Sequence, residues 1–244
     1  MENDLIHWHP GSCWNLANDR WLQISRGVAV PIERKPLFRP DLPRVARAIN
    51  ETLERERVRR AYFRRELTPS IKAEFIGGET VMHSPAKAKQ LRATQNLVGL
   101  LRAFVQRHRL GEVFSEKALI CLTRNDYEPD VVFFEKAKAE GFSPDQMEFP
   151  APDFIAEVLS ESTEQRDRGV KFDDYADHGV AEYWIVDCDE ASVEQYSLRD
   201  GVYQLAQKLK QGELDSLVIA GFRIPIAAIF DDRQFHVALT ELLK

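Results

Sequence analysis

Cysteine is scarce in this chain of 244 residues: Cys13, Cys121 and Cys188 are odd in number, far apart and never arranged as CxxC. That spacing argues against a disulfide framework and against a cysteine zinc site. All three read as reduced thiols, with buried packing the plainer role for Cys121 and Cys188. No run of about 18 apolar residues occurs, so no membrane-spanning helix is expected. The opening Met1-Glu2-Asn3-Asp4 lacks the basic and apolar regions of a secretory signal, which points to the cytoplasm. Walker A, G-x-G-x-x-G and G-x-S-x-G patterns are also missing, which argues against nucleotide-binding and serine-hydrolase chemistry. There is no internal repeat and no low-complexity segment.

What is present is ordinary globular material, 44% hydrophobic and 30% charged, enough for one packed domain and an accessory segment. The net charge of −6 conceals an asymmetry: residues 1–70 hold 13 Lys and Arg against 9 Asp and Glu, and the remainder 20 against 30. An acidic body is poorly suited to phosphate contacts. A carboxylate site for a divalent cation is itself acidic, however, and the basic arm can supply what the body lacks.

Residues 1–65 read as an N-terminal extension. Trp21–Ser25 and Val28–Ile32 suggest a small hairpin, and Pro36, Pro40 and Pro43 punctuate a linker. A helix follows from Leu42 to about Leu67, with Val45, Ile49 and Leu53 at helical spacing. Its basic stretch Glu54–Arg60 reads either as a solvated, salt-bridged face or as a nucleic-acid-contacting arm. Residues 66–232 form the main domain. It opens with a hairpin about Gly77-Gly78 and a helix from about Ala86 to His108, with Gly111 as the stop. Strands at Val113-Phe114, Ala118–Leu122, Val131–Phe134 and Phe154–Ser160 come next, then a helix from Ser162 or Thr163 to His178. Glu182–Asp187 and a hairpin about Asp200-Gly201 complete a mixed α/β core, and residues 233–244 form a tail helix. Tyr183 and Trp184 read as core packing.

Glu157 is the first residue that points to chemistry. A carboxylate between Ala156 and Val158 in an apolar strand is expensive to bury unless it binds something. Alternation places Asp153, Ile155, Glu157 and Leu159 on one face. Asp130, just after Pro129, begins the preceding buried strand. Two adjacent strands that each offer a carboxylate at one sheet end can hold Mg²⁺ or Mn²⁺, since hard cations take oxygen ligands and keep several waters. Local pattern alone leaves a turn role for Asp130 and a lysine partner for Glu157 open. His7-Trp8-His9 with Cys13 is a weaker ligand set.

The stretch Pro152–Thr163, with Asp167, Lys171, Tyr175, Gly179-Val180 and Glu182–Asp187, resembles the signature of the Uma2 family of restriction endonucleases. Gly78–Met82, Ser84-Pro85, Pro129–Val132 and Gly221–Ile226 fit the same pattern, so the resemblance covers about residues 70–230. It implies the PD-(D/E)xK nuclease superfamily, whose restriction-endonuclease-like fold is a mixed sheet flanked by helices. It implies metal binding by Asp130 and Glu157, hydrolysis of DNA (rather than RNA) phosphodiesters, and Lys171 as the assisting lysine. Asp167, Lys171 and Tyr175 are four apart and share a helical face. Glu74 stands where the family carries an acid, so Glu74, Asp167 and Tyr175 are supporting candidates. Pairs of small nucleases cut both strands, so a homodimer agrees with the resemblance. An ion pair with Asp167 is the plain alternative for Lys171.

Three departures are visible. Leu159 occupies the strand position of the superfamily lysine, Leu91–Gln95 contains no histidine, and Ser160-Glu161-Ser162-Thr163 brings an extra negative charge. They keep a second expectation in view, that of a catalytically inactive nuclease-fold module for nucleic-acid or protein binding.

Overall fold

Two units divide the chain, Met1–Val58 and Arg59–Lys244. The structure, a computed structural model, describes residues 13–16, 20–25, 28–32, 40–68 and 71–244; His7, Trp8 and His9 lie outside them. In the first unit β1 (Cys13–Leu16), β2 (Arg20–Ser25) and β3 (Val28–Ile32) form an antiparallel sheet in that order, one strand more than the expected hairpin. Helix α1 spans Leu42–Glu66. None of the described helices is long and apolar enough to cross a membrane.

The second unit opens with β4 (Ala73–Ile76) and β5 (Glu79–Met82), antiparallel, with Ile76 opposite Glu79. The two residues left between them, Gly77 and Gly78, have φ of 57° and 90°. Only glycine enters that left-handed region without steric cost, and the tight turn needs it twice. Helix α2 (Ala88–His108) then buries Leu97, Leu100, Leu101, Phe104 and Val105 along one stripe. Each such side chain contributes about 1.5–3 kcal/mol of burial. The helix ends at His108, as expected, but its left-handed cap is Arg109 at φ 56° and not Gly111. Gly111 instead begins β6 (Gly111–Ser115), where a Cβ would lie 1.9 Å from the Phe134 carbonyl oxygen.

Next come β7 (Leu119–Cys121), β8 (Asp126–Tyr127), β9 (Val131–Glu135), α3 (Lys136–Ala139), β10 (Glu148–Phe149) and β11 (Phe154–Val158). The helix expected to run unbroken to His178 is two helices, α4 (Glu164–Asp167) and α5 (Val170–Asp177). They part at Gly169, where a Cβ would stand 2.7 Å from the Gln165 carbonyl oxygen. Then follow β12 (Glu182–Asp187), β13 (Ser192–Arg199), β14 (Val202–Leu209), β15 (Glu213–Asp215), β16 (Arg223–Pro225), α6 (Ala227–Phe230) and the tail helix α7 (Asp232–Leu242).

A six-stranded mixed sheet, ordered β14-β13-β12-β11-β9-β6, is the centre of this unit; β11 and β12 are its parallel pair. Both faces of β11 are covered, which is why the strand reads as a continuous apolar run. On one face Phe154, Ala156 and Val158 join Leu97, Leu100 and Phe104 of α2. On the other, Ile155 and Leu159 join Tyr175 of α5 and Tyr127 and Ile120 of a five-stranded sheet, ordered β10-β7-β8-β4-β5. Tyr183 and Trp184 are fully buried core residues, as expected. The basic part of α1 does more than face water. Arg60 and Arg64 both grip the buried Asp126 carboxylate through bonds of 2.5–2.9 Å, and Phe63 packs on Phe75 and Leu119.

Candidate active site

Glu157 and Asp130 meet because β11 and β9 run antiparallel with Ile155 opposite Val132 and Ala156 opposite Val131. One step further along that register sets Glu157 opposite Asp130, on the face shared with Ile155 and Val132. The Asp130 N–H lies 3.3 Å from Glu157 Oε2, and the Val158 N–H donates to Asp130 Oδ2 at 2.9 Å. Glu157 Oε1 is held from the helix side, by Lys171 Nζ at 3.0 Å and the Tyr175 hydroxyl at 2.9 Å. Despite the break at Gly169, Asp167, Lys171 and Tyr175 all reach the site. The structure thus brings together Glu74, Asp130, Glu157, Asp167, Lys171 and Tyr175, whereas the His7 and His9 candidates lie outside the described residues.

Lys171 is the hub of this cluster. Its ammonium sits 2.9 Å from Glu74, 3.0 Å from Glu157 and 3.1 Å from Asp167, and the side chain is 1% exposed. The Asp167 ion pair proposed as the plain alternative is therefore present, as one of three. One cation cannot neutralise three buried anions. Burial drives the Glu157 carboxyl up, the pull of Lys171 does not compensate, and Asp167 and Asp130 add to the rise, which leaves it at about 8. Asp167 is raised for the same first reason. Burial also opposes the Glu74 charge, but Lys171 and His83 outweigh it and hold that group at about 2. Lys171 stays protonated well above the usual lysine range, because its carboxylates overcome its desolvation.

Sequence reasoning missed two residues. His83 Nε2 lies 3.2 Å from Glu74 Oε2, and Lys72 Nζ lies 3.0 Å from Asp130 Oδ1. The signal for both was the glycine hairpin: its register carries Lys72 opposite His83, whose N–H donates to the Lys72 carbonyl, and alternation puts Lys72 on the face of Glu74. A histidine thus stands at the site ahead of Ser84-Pro85, although none lies in Leu91–Gln95.

A pocket of about 560 Å³ opens over Asp130, walled by Lys72, His83, Lys87, Ser160 and Ser162. A second pocket of about 570 Å³, walled by Phe114, Met147 and Phe149, is as large but does not reach Asp130; Glu157 lines neither. Size does not separate the two, and charged side chains line both; the first is favoured because it reaches Asp130 and the residues packed on the carboxylate cluster, Lys72 and His83.

In donor chemistry, the two carboxylates Asp130 and Glu157 would suit a hard divalent cation. Glu157 is tied to the scaffold by Oε1 and Asp130 by Oδ2, while Asp130 Oδ1 holds the Lys72 ammonium, which a cation would have to displace. Glu157 Oε2 accepts only the long bond from Asp130. Beneath them, Glu74 Oε2 and Asp167 Oδ1 are buried without a well-formed hydrogen bond. Among the described residues no group of three or more His, Cys, Asp or Glu side chains is arranged as a metal site. The fit is that of an ion that keeps most of its water.

A family model described as "Putative restriction endonuclease", Uma2, matches residues 59–227. An uncharacterized Synechocystis protein, sll1609, is 34% identical over 139 residues, covering 55% of this chain and 77% of its own. The crystal structure of a "putative nuclease belonging to DUF820" from Anabaena variabilis superposes with a TM-score of 0.61 and 18% identity over 71% of this chain and 96% of that one. At that identity the likeness is one of fold: the mixed sheet flanked by helices is similar to the fold of that protein.

Proposed function

The chain belongs to the Uma2 family of restriction-endonuclease-like proteins, and on that premise we propose that it is a metal-dependent DNA endonuclease of the PD-(D/E)xK type. The observation that carries this reading is the meeting of Asp130 and Glu157 on facing positions of β9 and β11, beneath a polar pocket. Asp130 and Glu157 would hold Mg²⁺ or Mn²⁺. Bound there, such an ion activates water and neutralises charge that develops on a phosphodiester.

The chain's own residues prepare that site. The Val158 N–H fixes Asp130, while Lys171 and Tyr175 fix the Glu157 rotamer from below. Asp167 and Glu74 keep Lys171 charged and in place. Lys171 acts here as a positioning residue, since its full burial keeps it away from a substrate. The free thiols of Cys121 and Cys188 agree with a reducing compartment such as the cytoplasm. A homodimer would place two such sites on a duplex.

Purified protein is expected to cleave DNA with Mg²⁺ or Mn²⁺ and to lose cleavage on Asp130→Ala. Equal cleavage by that variant would falsify the assignment. Leu159 and the lysine-filled centre favour one alternative, a catalytically inactive module that binds nucleic acid or protein. Calorimetric titration with Mn²⁺ separates the two: binding abolished by Asp130→Asn supports the enzyme, and no binding at millimolar metal supports the module.

A further inference from the structure

Two lysines stand beside the carboxylates, and only one faces the space a substrate would occupy. Lys171 is 1% exposed and saturated by three carboxylates. Lys72 keeps 24% of its side chain exposed, lines the 560 Å³ pocket and has one ion-pair partner there, Asp130. We propose that Lys72 is the residue that contacts a backbone phosphate of the bound DNA strand. This rests on the nuclease reading and assigns within it the contact that Leu159 and the buried Lys171 leave unfilled.

The geometry supports the assignment from three sides. Lys72 is anchored by its backbone, whose carbonyl accepts the His83 N–H at 3.1 Å, so its head has a fixed origin at the pocket wall. Its ammonium lies against Asp130 Oδ1, the oxygen that the Val158 N–H leaves free. A divalent cation on Asp130 competes for that same oxygen, and an ammonium released from it stays tethered beside the pocket. The surrounding wall is rich in hydrogen-bond donors, with Ser84, Ser160, Ser162 and Lys87. A compact ammonium with three donors suits phosphate as a point charge. Lys87 is a poorer candidate, exposed and engaged with Glu161 at 3.1 Å.

The test measures binding of a short fluorescent duplex by anisotropy across a salt series, in millimolar Ca²⁺, with the full chain. Lys72→Gln is expected to weaken binding about five- to tenfold and to lower the slope of log affinity against log salt by about 0.9, one phosphate contact. Lys72→Arg should restore both. Calorimetry with Mn²⁺ supplies the structural control, since Lys72→Gln should bind the ion at least as tightly as the wild type. An unchanged affinity and slope in Lys72→Gln overturns the assignment alone. Loss of Mn²⁺ affinity in that variant also overturns it, because Lys72 would then only support Asp130. A wild-type protein that binds no DNA overturns the nuclease reading together with this one.

Discussion

Replacing Lys171 with methionine keeps the length of the side chain and removes the cation shared by Glu74, Glu157 and Asp167 at 2.9–3.1 Å. Breaking one buried ion pair costs about 3–5 kcal/mol, because the partner is left charged without water. Three stranded carboxylates would cost more if all remained ionised, but burial already raises Glu157 and Asp167, so in the variant they take up protons. Each extra proton held against its unfolded-state preference costs about 1.4 kcal/mol per pH unit. For one extra proton, counted from about pH 4.5, the loss is about 5 kcal/mol near pH 8 and about 2 kcal/mol near pH 6. The sign follows from linkage: the folded variant holds protons that the unfolded chain has released above about pH 4.5, so its stability falls as pH rises through that window. Urea unfolding followed by circular dichroism at pH 6 and pH 8 measures the gap to wild type. A gap below about 1 kcal/mol at pH 8, or one that does not widen between the two pH values, refutes the view of Lys171 as shared counter-ion.

Asp126→Asn should destabilise the fold by about 3–5 kcal/mol, because Arg60 and Arg64 both depend on that buried carboxylate. For a chain of this size that is a fall in Tm of about 6–20 °C, read by calorimetry. Glu194 should supply an acid-sensitive contribution. Burial opposes its charge, but Arg168, Tyr196 and Lys208 hold its carboxyl down to about 2. A depressed folded-state pKa stabilises above the unfolded value, and this part is lost as pH falls from about 4.5 towards 2. Wild type should exceed Glu194→Gln by about 1–2 kcal/mol at pH 7, once solvent screening at Lys208 is allowed for. The two urea midpoints should converge over that acid range, and a constant offset there would contradict the assignment.

The strand carboxylates were legible because a strand has a period of two: Glu157 falls on the face of Ile155 and Leu159 whatever the neighbours. That Asp130 stands directly across from it was not legible, since register depends on which strands pair. The glycine hairpin was legible, yet its consequence, Lys72 and His83 at the site, requires knowing which face of β4 turns inward. The basic part of α1 misled for a similar reason. Arginines on a polar helix look solvated, and their partner Asp126 lies 66 residues from Arg60 in a two-residue strand with no periodicity to detect. The continuous helix to His178 failed at Gly169, where the backbone passes too close to Gln165 for a side chain. A lone glycine inside a helical pattern is a weak stop signal.

Burial of a strand glutamate did not by itself locate the site, because the same sheet buries a second one. Glu182 is as inaccessible as Glu157 and lies on the next strand. Its two oxygens accept from Trp184, Gln195, Ser216 and the N–H groups of Leu217 and Val218, at 2.6–3.0 Å. Those neutral donors satisfy the carboxylate and hook the 216–218 loop to the sheet, which is a structural role. Glu157 instead shares one ammonium with two other carboxylates and faces a fourth across the strand pair. Neutral donors close a site, whereas a deficit of positive charge leaves one open to a cation. The strand position of Leu159 cannot relieve the deficit, since its side chain packs with Ile155, Tyr175 and Tyr183. The positive charge must come from α5 below and from the residue before β4 at the pocket wall. That division separates the lysine that holds Glu157 from the lysine that can meet a substrate.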